Sequence, residues 1–149
     1  MKTSIRLFVV LFTLFVSTLL MQAQVWTQLL SYTNALSTVA CSADGTTIIT
    51  SSQFGAVYVS TNSGLSWSTN KVTWVAPLAV SSYDGSRLVL RDDGNHIYTS
   101  TNSGLTWRTN AGPGSSVQSI AASADGRVLM ALSGWSGDQD LMISEKHGS

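Results

Sequence analysis

An eight-residue segment occurs twice in this chain, almost unchanged, 40 positions apart. Residues 60–67 have the sequence STNSGLSW, and residues 100–107 have the sequence STNSGLTW. A second landmark, Ser-x-Asp-Gly, occurs three times with nearly the same spacing, at residues 42–45, 82–85 and 123–126. Two independent landmarks with one period indicate a repeated supersecondary unit, and a period of this length is typical of solenoids and propellers. The repeat constrains the fold of the whole chain, but it leaves the activity open.

Short β-branched or apolar runs, bounded by Gly, Asn, Asp or Ser, lie between these landmarks. They span residues 46–50, 56–60, 87–91, 96–100 and 127–132. Such runs predict β-strands, and no segment after residue 24 keeps a helical apolar period for three turns. The middle unit contains four predicted strands, which lie near residues 75–81, 87–91 and 96–100 and from Thr106 onwards. We therefore predict an all-β fold of about three four-stranded β-propeller blades, in approximate repeats 26–66, 67–106 and 107–149.

The phase of the repeat bears on how the blades are completed. Trp26 stands 41 residues before Trp67, so it matches the tryptophan that begins a fourth strand. Closed propellers contain about four to eight blades. Three units therefore predict a partial propeller, a ring that identical chains complete together, or an open array with exposed edges.

The N-terminal segment has the features of a secretory signal peptide. Lys2 and Arg6 precede an uncharged run over residues 7–20, and Ala23 offers a small residue for cleavage. We predict a signal peptide over residues 1–23, a mature β-propeller domain over residues 24–149 and a secreted location. An uncleaved membrane anchor is the alternative, although the run is short for a span of about 20 residues. Cleavage leaves six basic and eight acidic residues, a formal charge of −2, which favours neither nucleic acid nor membrane binding.

Cys41 is the only cysteine, so no internal disulfide can form. It takes the position that Ser81 and Ala122 occupy in the other repeats. Because all three residues are small, we expect Cys41 to be buried in a tightly packed strand. A reactive or intermolecular thiol is the alternative.

The residues of the two repeated segments, which we call the octets, are suited to a tight hairpin. The serines can hydrogen-bond across the turn, the asparagines can accept backbone bonds, the glycines permit positive φ and the tryptophans can bury a large ring. We expect these structural roles for Ser60, Asn62, Gly64, Trp67, Ser100, Asn102, Gly104 and Trp107. A degenerate third copy at residues 144–148 has Lys146 where the others have asparagine.

The octets resemble the Asp-box, or BNR repeat, whose pattern is Ser-x-Asp-x-Gly-x-Thr-Trp. Asn62 and Asn102 stand at its aspartate position. The resemblance implies a β-propeller of the superfamily that includes sialidases, photosystem II assembly factors and sortilin-type receptors. It implies the fold more directly than any activity, because these members differ in function.

A sialidase site would imply an arginine triad, a Tyr–Glu nucleophile pair and an acid/base aspartate. The family's Arg-Ile-Pro signature is absent, and Glu145 is the only glutamate. After the predicted cleavage the arginines are Arg87, Arg91, Arg108 and Arg127. We therefore expect no catalytic residues. The alternative is a fragment of a sialidase-like glycoside hydrolase whose catalytic residues lie outside this chain.

Metal and cofactor sites are not expected either. Residues 92–95 and 138–140 are rich in oxygen ligands but lack the spacing of a calcium loop. His96 and His147 are isolated from other metal ligands in the sequence. We interpret these segments as polar hairpin turns.

Binding remains as the expected role. Trp74 and Trp135 lie outside the octets, and each could stack on a sugar or anchor a protein partner. Packing under their own loops is the alternative. We expect a secreted, non-catalytic binding or scaffold module for an unknown protein or glycan. An assembly-factor-like chaperone and a self-assembled ring are the remaining hypotheses.

Overall fold

The computed structural model describes residues 26–29, 31, 35–71, 78–94, 96–112, 117–135 and 138–145. This part of the chain contains eleven β-strands and no helix. The predicted signal peptide and Trp74 lie outside the described residues. The strands are β1 (Leu36–Cys41), β2 (Ile48–Ser52), β3 (Ala56–Ser60), β4 (Ser68–Lys71), β5 (Leu78–Ser81), β6 (Leu88–Arg91), β7 (His96–Ser100), β8 (Arg108–Ala111), β9 (Val117–Ala122), β10 (Val128–Trp135) and β11 (Asp138–Glu145).

The strands form three antiparallel meanders. Blade 1 has the order β1-β2-β3-β4, and blade 2 has the order β5-β6-β7-β8. Blade 3 contains β9, β10 and β11 among the described residues, with β10 in the middle. The predicted all-β fold of repeated propeller-type blades is confirmed. The third unit differs from expectation because its described sheet has three strands instead of four.

Two local expectations were wrong. β10 continues to Trp135, which pairs with Asp138 at the start of β11. Trp135, expected in a loop, and residues 138–140, expected to form a polar turn, therefore belong to paired strands, because a two-residue connection suffices between antiparallel strands. Residues 26–29, expected to begin a fourth strand, adopt no strand.

The main core lies between blades 1 and 2. Side chains alternate across each sheet, and the register places Ala40, Ile49 and Val59 on the same face of blade 1. Leu88 and Leu90 of blade 2 join this cluster, and both are fully buried. Burial of these aliphatic side chains, worth about 1.5–3 kcal/mol each, holds the two blades face to face.

Backbone hydrogen bonds join the blades at the end that carries the Ser-x-Asp-Gly turns. The amide of Ala43 donates to the carbonyl of Tyr83 (2.9 Å), and the amide of Tyr83 donates to the carbonyl of Ala124 (2.7 Å). Within blade 1, the amide of Ser63 in the octet donates to the carbonyl of Thr46 (2.9 Å). Octets and Ser-x-Asp-Gly turns therefore share one end of the strands, which we call the motif end.

Cys41 is exposed, contrary to the expectation of a buried thiol. It pairs with Ile48 at the end of β1, on the face of blade 1 that points away from blade 2. The equivalent Ser81 of blade 2 is partly buried because blade 1 packs over it. The difference comes from the neighbouring blade and not from the strand itself.

Candidate functional site

The octet serines organise the turns of the motif end. Oγ of Ser60 accepts hydrogen bonds from the amides of Gly64 (2.8 Å) and Asn62 (3.3 Å). Ser100 accepts the equivalent bonds from Gly104 (2.9 Å) and Asn102 (3.3 Å). Both serines are buried. These contacts stay within five residues of chain, so the octet sequence specifies them locally.

The octet asparagines close the same turns from the outside. Oδ1 of Asn62 accepts the amide of Ser66 (2.9 Å), and Nδ2 donates to Oγ of Ser66 (2.8 Å). Asn102 makes both bonds with Thr106. Positive φ extends over two residues of each octet, including Ser63 (57°) as well as Gly64 (86°). The sequence analysis assigned positive φ to the glycines alone.

The octet tryptophans are less buried than expected. Trp67 and Trp107 are both partly exposed, because they stand just before the outer strands β4 and β8. Nε1 of Trp67 donates to the carbonyl of Gly64 (3.0 Å). Nε1 of Trp107 is buried without a partner among the described residues. Apart from this atom, the octet polar groups described above are satisfied by their own turn.

The Ser-x-Asp-Gly turns contain a second repeated network, which the sequence analysis used only as a landmark. Asp44 accepts hydrogen bonds from the hydroxyl of Ser42 (2.6 Å), the amide of Thr46 (3.0 Å) and the hydroxyl of Thr46 (2.8 Å). Asp84 accepts the matching set from Ser82 and Ser86. These bonds, first those from Ser42 and Ser82, lower the pKa of both aspartates to about 2.

The opposite end of the strands, which we call the hairpin end, carries the connections β2–β3, β6–β7 and β10–β11. Its best-defined feature is the buried carboxylate of Asp92. Asp92 accepts the amide of His96 (2.8 Å) and the hydroxyl of Tyr98 (2.9 Å), and Oδ2 lies 3.0 Å from Nδ1 of His96. Burial raises the pKa of Asp92, but these hydrogen bonds outweigh it and lower that pKa overall.

The contact with Asp92 orients the His96 ring. Because Nδ1 faces the carboxylate, Nε2 is left as the ring nitrogen available to a ligand. The His96 side chain is 52% exposed, so this nitrogen is within reach of solvent. From the sequence, residues 92–95 were expected to form a polar turn, with His96 isolated from other metal ligands. The spacing could have indicated this cluster, because residues 96 and 98 lie on the same face of a strand that directly follows the turn.

The other described side chains at the hairpin end differ from hairpin to hairpin. Phe54 between β2 and β3 is 71% exposed. Arg91 is buried, and its guanidinium lies 3.8 Å from the exposed carboxylate of Asp93. Trp135 ends β10 at this same end, whereas its side chain lies outside the described residues, as does Trp74. The structure therefore brings the Trp135 backbone to the end that carries His96.

A crevice of about 760 Å³ separates blades 2 and 3, and its lining includes Arg87, Arg108 and Arg127. Between blades 1 and 2 the equivalent space is filled by an octet, where a Cβ atom on Gly104 would stand 2.8 Å from Cγ2 of Val59. The third, degenerate octet continues into residues 146–149, outside the described part of the chain. We therefore assign the crevice to blade packing and place the candidate site at the hairpin end.

Among the described residues, no group of three or more His, Cys, Asp or Glu residues is placed to hold a metal ion. Within the same residues, no helix is long and apolar enough to cross a membrane.

No family model matches the chain, and no curated protein matches it. Among solved structures, hydrazine synthase of Kuenenia stuttgartiensis is similar, with a TM-score of 0.60, 17% identity and coverage of 72% of this chain and 33% of that chain. An ancestral GH74 enzyme is similar with a TM-score of 0.58, 21% identity and coverage of 77% of this chain and 19% of that chain. The chain thus spans a third or less of these relatives, and the likeness shows a fold of β-propeller type.

Proposed function

We propose that residues 24–149 form a secreted, non-catalytic module of the Asp-box type that binds a glycan at the hairpin end. The observation that carries this proposal is the contrast between the two ends of the blades. The motif end repeats the same closed hydrogen-bond networks from blade to blade. The hairpin end differs in every blade, as is usual for loops that bind on a rigid scaffold.

The octet polar groups at the motif end are engaged within their own turns. The side chains of Ser60 and Asn62 form hydrogen bonds within their own turn. Those of Ser100 and Asn102 form the equivalent bonds in the second octet. Both octets close the same bonds with asparagine at the aspartate position, which supports the Asp-box assignment. We infer that the octets stabilise the blades and leave recognition to other residues.

The hairpin end combines an exposed aromatic ring with oriented polar groups. Phe54 and Trp135 can stack on the apolar face of a sugar. His96, held by Asp92, can exchange a hydrogen bond with a sugar hydroxyl through Nε2. Asp92 itself is buried and engaged with His96 and Tyr98. This engagement favours a positioning role for Asp92 over that of a general acid or base.

A glycan array probed with residues 24–149 tests the proposal. We expect one glycan class to be retained, and Phe54→Ala, His96→Ala or Trp135→Ala to weaken binding by about tenfold or more, as for anchor residues. Leu65→Ala is the matched control, because Leu65 is 87% exposed at the motif end and its loss should change nothing. An array without retained glycans, or equal losses in the control, would contradict the proposal. Hydrolysis of a retained glycan would favour the glycoside hydrolase alternative.

A further inference from the structure

Each outer blade presents a sheet face that no described strand covers. On blade 1 this leading face contains Val39, Cys41, Ile48 and Thr50, which alternate with the residues that pack on blade 2. Val39 and Cys41 are exposed, Ile48 is partly buried and Thr50 is buried. On blade 3 the trailing face contains Met130, Leu132, Leu141 and Ile143, which the register places together. Each face carries exposed apolar side chains, Val39 on the leading face and Met130, Leu141 and Ile143 on the trailing face. The two faces lie at opposite ends of the blade series.

The trailing face repeats a surface that is buried elsewhere in the same chain. The distance from the Ser-x-Asp-Gly turn and the strand register identify equivalent positions in blades 1 and 3. By this alignment, Met130 corresponds to Ile49, Leu141 to Val57 and Ile143 to Val59. Ile49, Val57 and Val59 are 0%, 0% and 2% exposed beneath blade 2. Their equivalents in blade 3 are 43%, 72% and 60% exposed. The trailing face is therefore built like the blade 1 side of an inter-blade contact.

The leading face repeats the other half of that contact. Val39 and Ile48 stand at the positions of Ala79 and Leu88, which belong to the core between blades 1 and 2. Val39 is 70% exposed, whereas its equivalent Ala79 is partly buried. Ile48 is partly buried, whereas its equivalent Leu88 is fully buried. One open face thus has the pattern of a blade that precedes the contact, and the other has the pattern of a blade that follows it.

The backbone leaves one donor and one acceptor in matching positions. Ala43 donates to Tyr83 and Tyr83 donates to Ala124, always from one blade to the next. At the trailing end the amide of Ala124 has no acceptor among the described residues, and at the leading end the carbonyl of Ala43 has no donor among them. A further step of the same series would join Ala124 of one copy to Ala43 of another.

The glycines of the Ser-x-Asp-Gly turns differ in whether a preceding blade packs beside them. A Cβ atom on Gly85 would stand 2.5 Å from Cβ of Thr47 in blade 1, and one on Gly126 would stand 2.8 Å from Cβ of Arg87 in blade 2. Among the described residues, no atom beyond its chain neighbours lies within 4 Å of a Cβ atom on Gly45. The open space beside Gly45 is where an adjoining blade would place its own turn.

Residues 26–29 occupy the place of an outer strand on the leading side. Leu29 lies 41 positions before Asn70, and it packs on Gly64 with Cδ1 2.9 Å from the site of a Cβ atom. Asn70 reaches the glycine of the next octet by a different contact, a hydrogen bond from Nδ2 to the carbonyl of Gly104 (3.0 Å). Blade 3 ends at β11 among the described residues. A blade 3 docked on the leading face would therefore bring β11 beside residues 26–29.

We propose that a second copy of this chain docks its trailing face on the leading face of the first, and that the first docks reciprocally on the second. Such head-to-tail contacts close into a ring when the rotation allows. The three described blades of each copy give six in the pair, within the range of about four to eight that closed propellers use. This assembly goes beyond the proposed glycan binding and does not depend on it.

Light scattering on residues 24–149 after size-exclusion chromatography tests the assembly. We expect twice the monomer mass. Ile143→Asp on the trailing face and Val39→Asp on the leading face should each give a monomer with an unchanged β-sheet circular dichroism spectrum. Leu65→Asp, the same change at an exposed leucine in an octet, should remain a dimer. A wild-type monomer at all micromolar concentrations, or dissociation by Leu65→Asp to the same extent, overturns the proposal.

Disulfide trapping tests the orientation. In a Cys41→Ser background, Ala43→Cys and Ala124→Cys are made in separate chains, since backbones joined by one hydrogen bond lie within the Cα separation of a disulfide, about 4.4–6.8 Å. On oxidation, a mixture of the two variants should give a covalent dimer that contains one chain of each kind. On oxidation, each variant alone should form no covalent dimer. Cross-linking of either variant with itself, or no cross-link in the mixture, overturns the head-to-tail contact.

Discussion

Gly85 of blade 2 lies so close to Thr47 of blade 1 that a Cβ atom on the glycine would stand 2.5 Å from Cβ of the threonine. Gly85 also has φ of 71°, a value that Gly45 shares, but a Cβ atom on Gly45 would meet no described residue within 4 Å other than its chain neighbours. The two glycines therefore separate backbone strain from inter-blade packing.

We predict that Gly85→Ala destabilises the chain more than Gly45→Ala does. Positive φ costs both variants about 1–2 kcal/mol, and overpacking against Thr47 costs Gly85→Ala a further 1–3 kcal/mol or so. Urea unfolding should be measured in the Ile143→Asp background, where contacts between copies do not contribute. Equal free energies of unfolding for the two variants would show that blades 1 and 2 are not packed at this turn.

The buried hydroxyl of Ser100 should be important for the second octet. Ser100→Ala removes the acceptor of the amides of Asn102 and Gly104, and an unsatisfied buried donor costs about 1–3 kcal/mol. Thr101→Ala, at the exposed neighbouring position, should change stability by less than about 0.5 kcal/mol. Urea unfolding followed by tryptophan fluorescence measures both, and similar losses in the two variants would contradict the assigned role.

Tyr98→Phe tests the network at the hairpin end. The change removes the hydroxyl that donates to the buried Asp92 carboxylate, so we expect a loss of about 1–3 kcal/mol in the free energy of unfolding. Tyr83→Phe is the control, because Tyr83 is 71% exposed. A neutral Tyr98→Phe variant would mean that Asp92 does not depend on this bond.

Stability should fall in acid through the Ser-x-Asp-Gly turns. Folding lowers the pKa of Asp44 and Asp84 from 3.8 to about 2, so the unfolded chain binds more protons in this range and stability rises with pH. The contribution is complete above the ordinary value of 3.8 and is lost as the pH falls towards about 2. Urea midpoints measured across this range should fall with pH. The double variant Asp44→Asn/Asp84→Asn should have a flatter profile, and an unchanged slope would refute this source of acid sensitivity.

Much of the fold was predictable because its determinants are local. Ser60 and Asn62 bond to groups at most four residues away, so the octet sequence alone specifies its turn. The strands at residues 56–60 and 96–100 were predicted with the bounds that the structure shows, since turn-forming residues flank both. The candidate ligand-binding tryptophans remain predictions, because neither side chain lies among the described residues.

What the sequence by itself determined was the repeating unit: its period, its four-strand pattern and the turn chemistry that closes it, all set by bonds within a few residues. Only the tertiary structure decided which copy of an equivalent position is buried. Cys41 is exposed and the equivalent Ser81 is partly covered, and Ile49 is fully buried while the equivalent Met130 is 43% exposed. Burial depends on whether a blade face packs against another blade. Because the repeat sequence is nearly the same in each blade, it does not specify which faces are in contact.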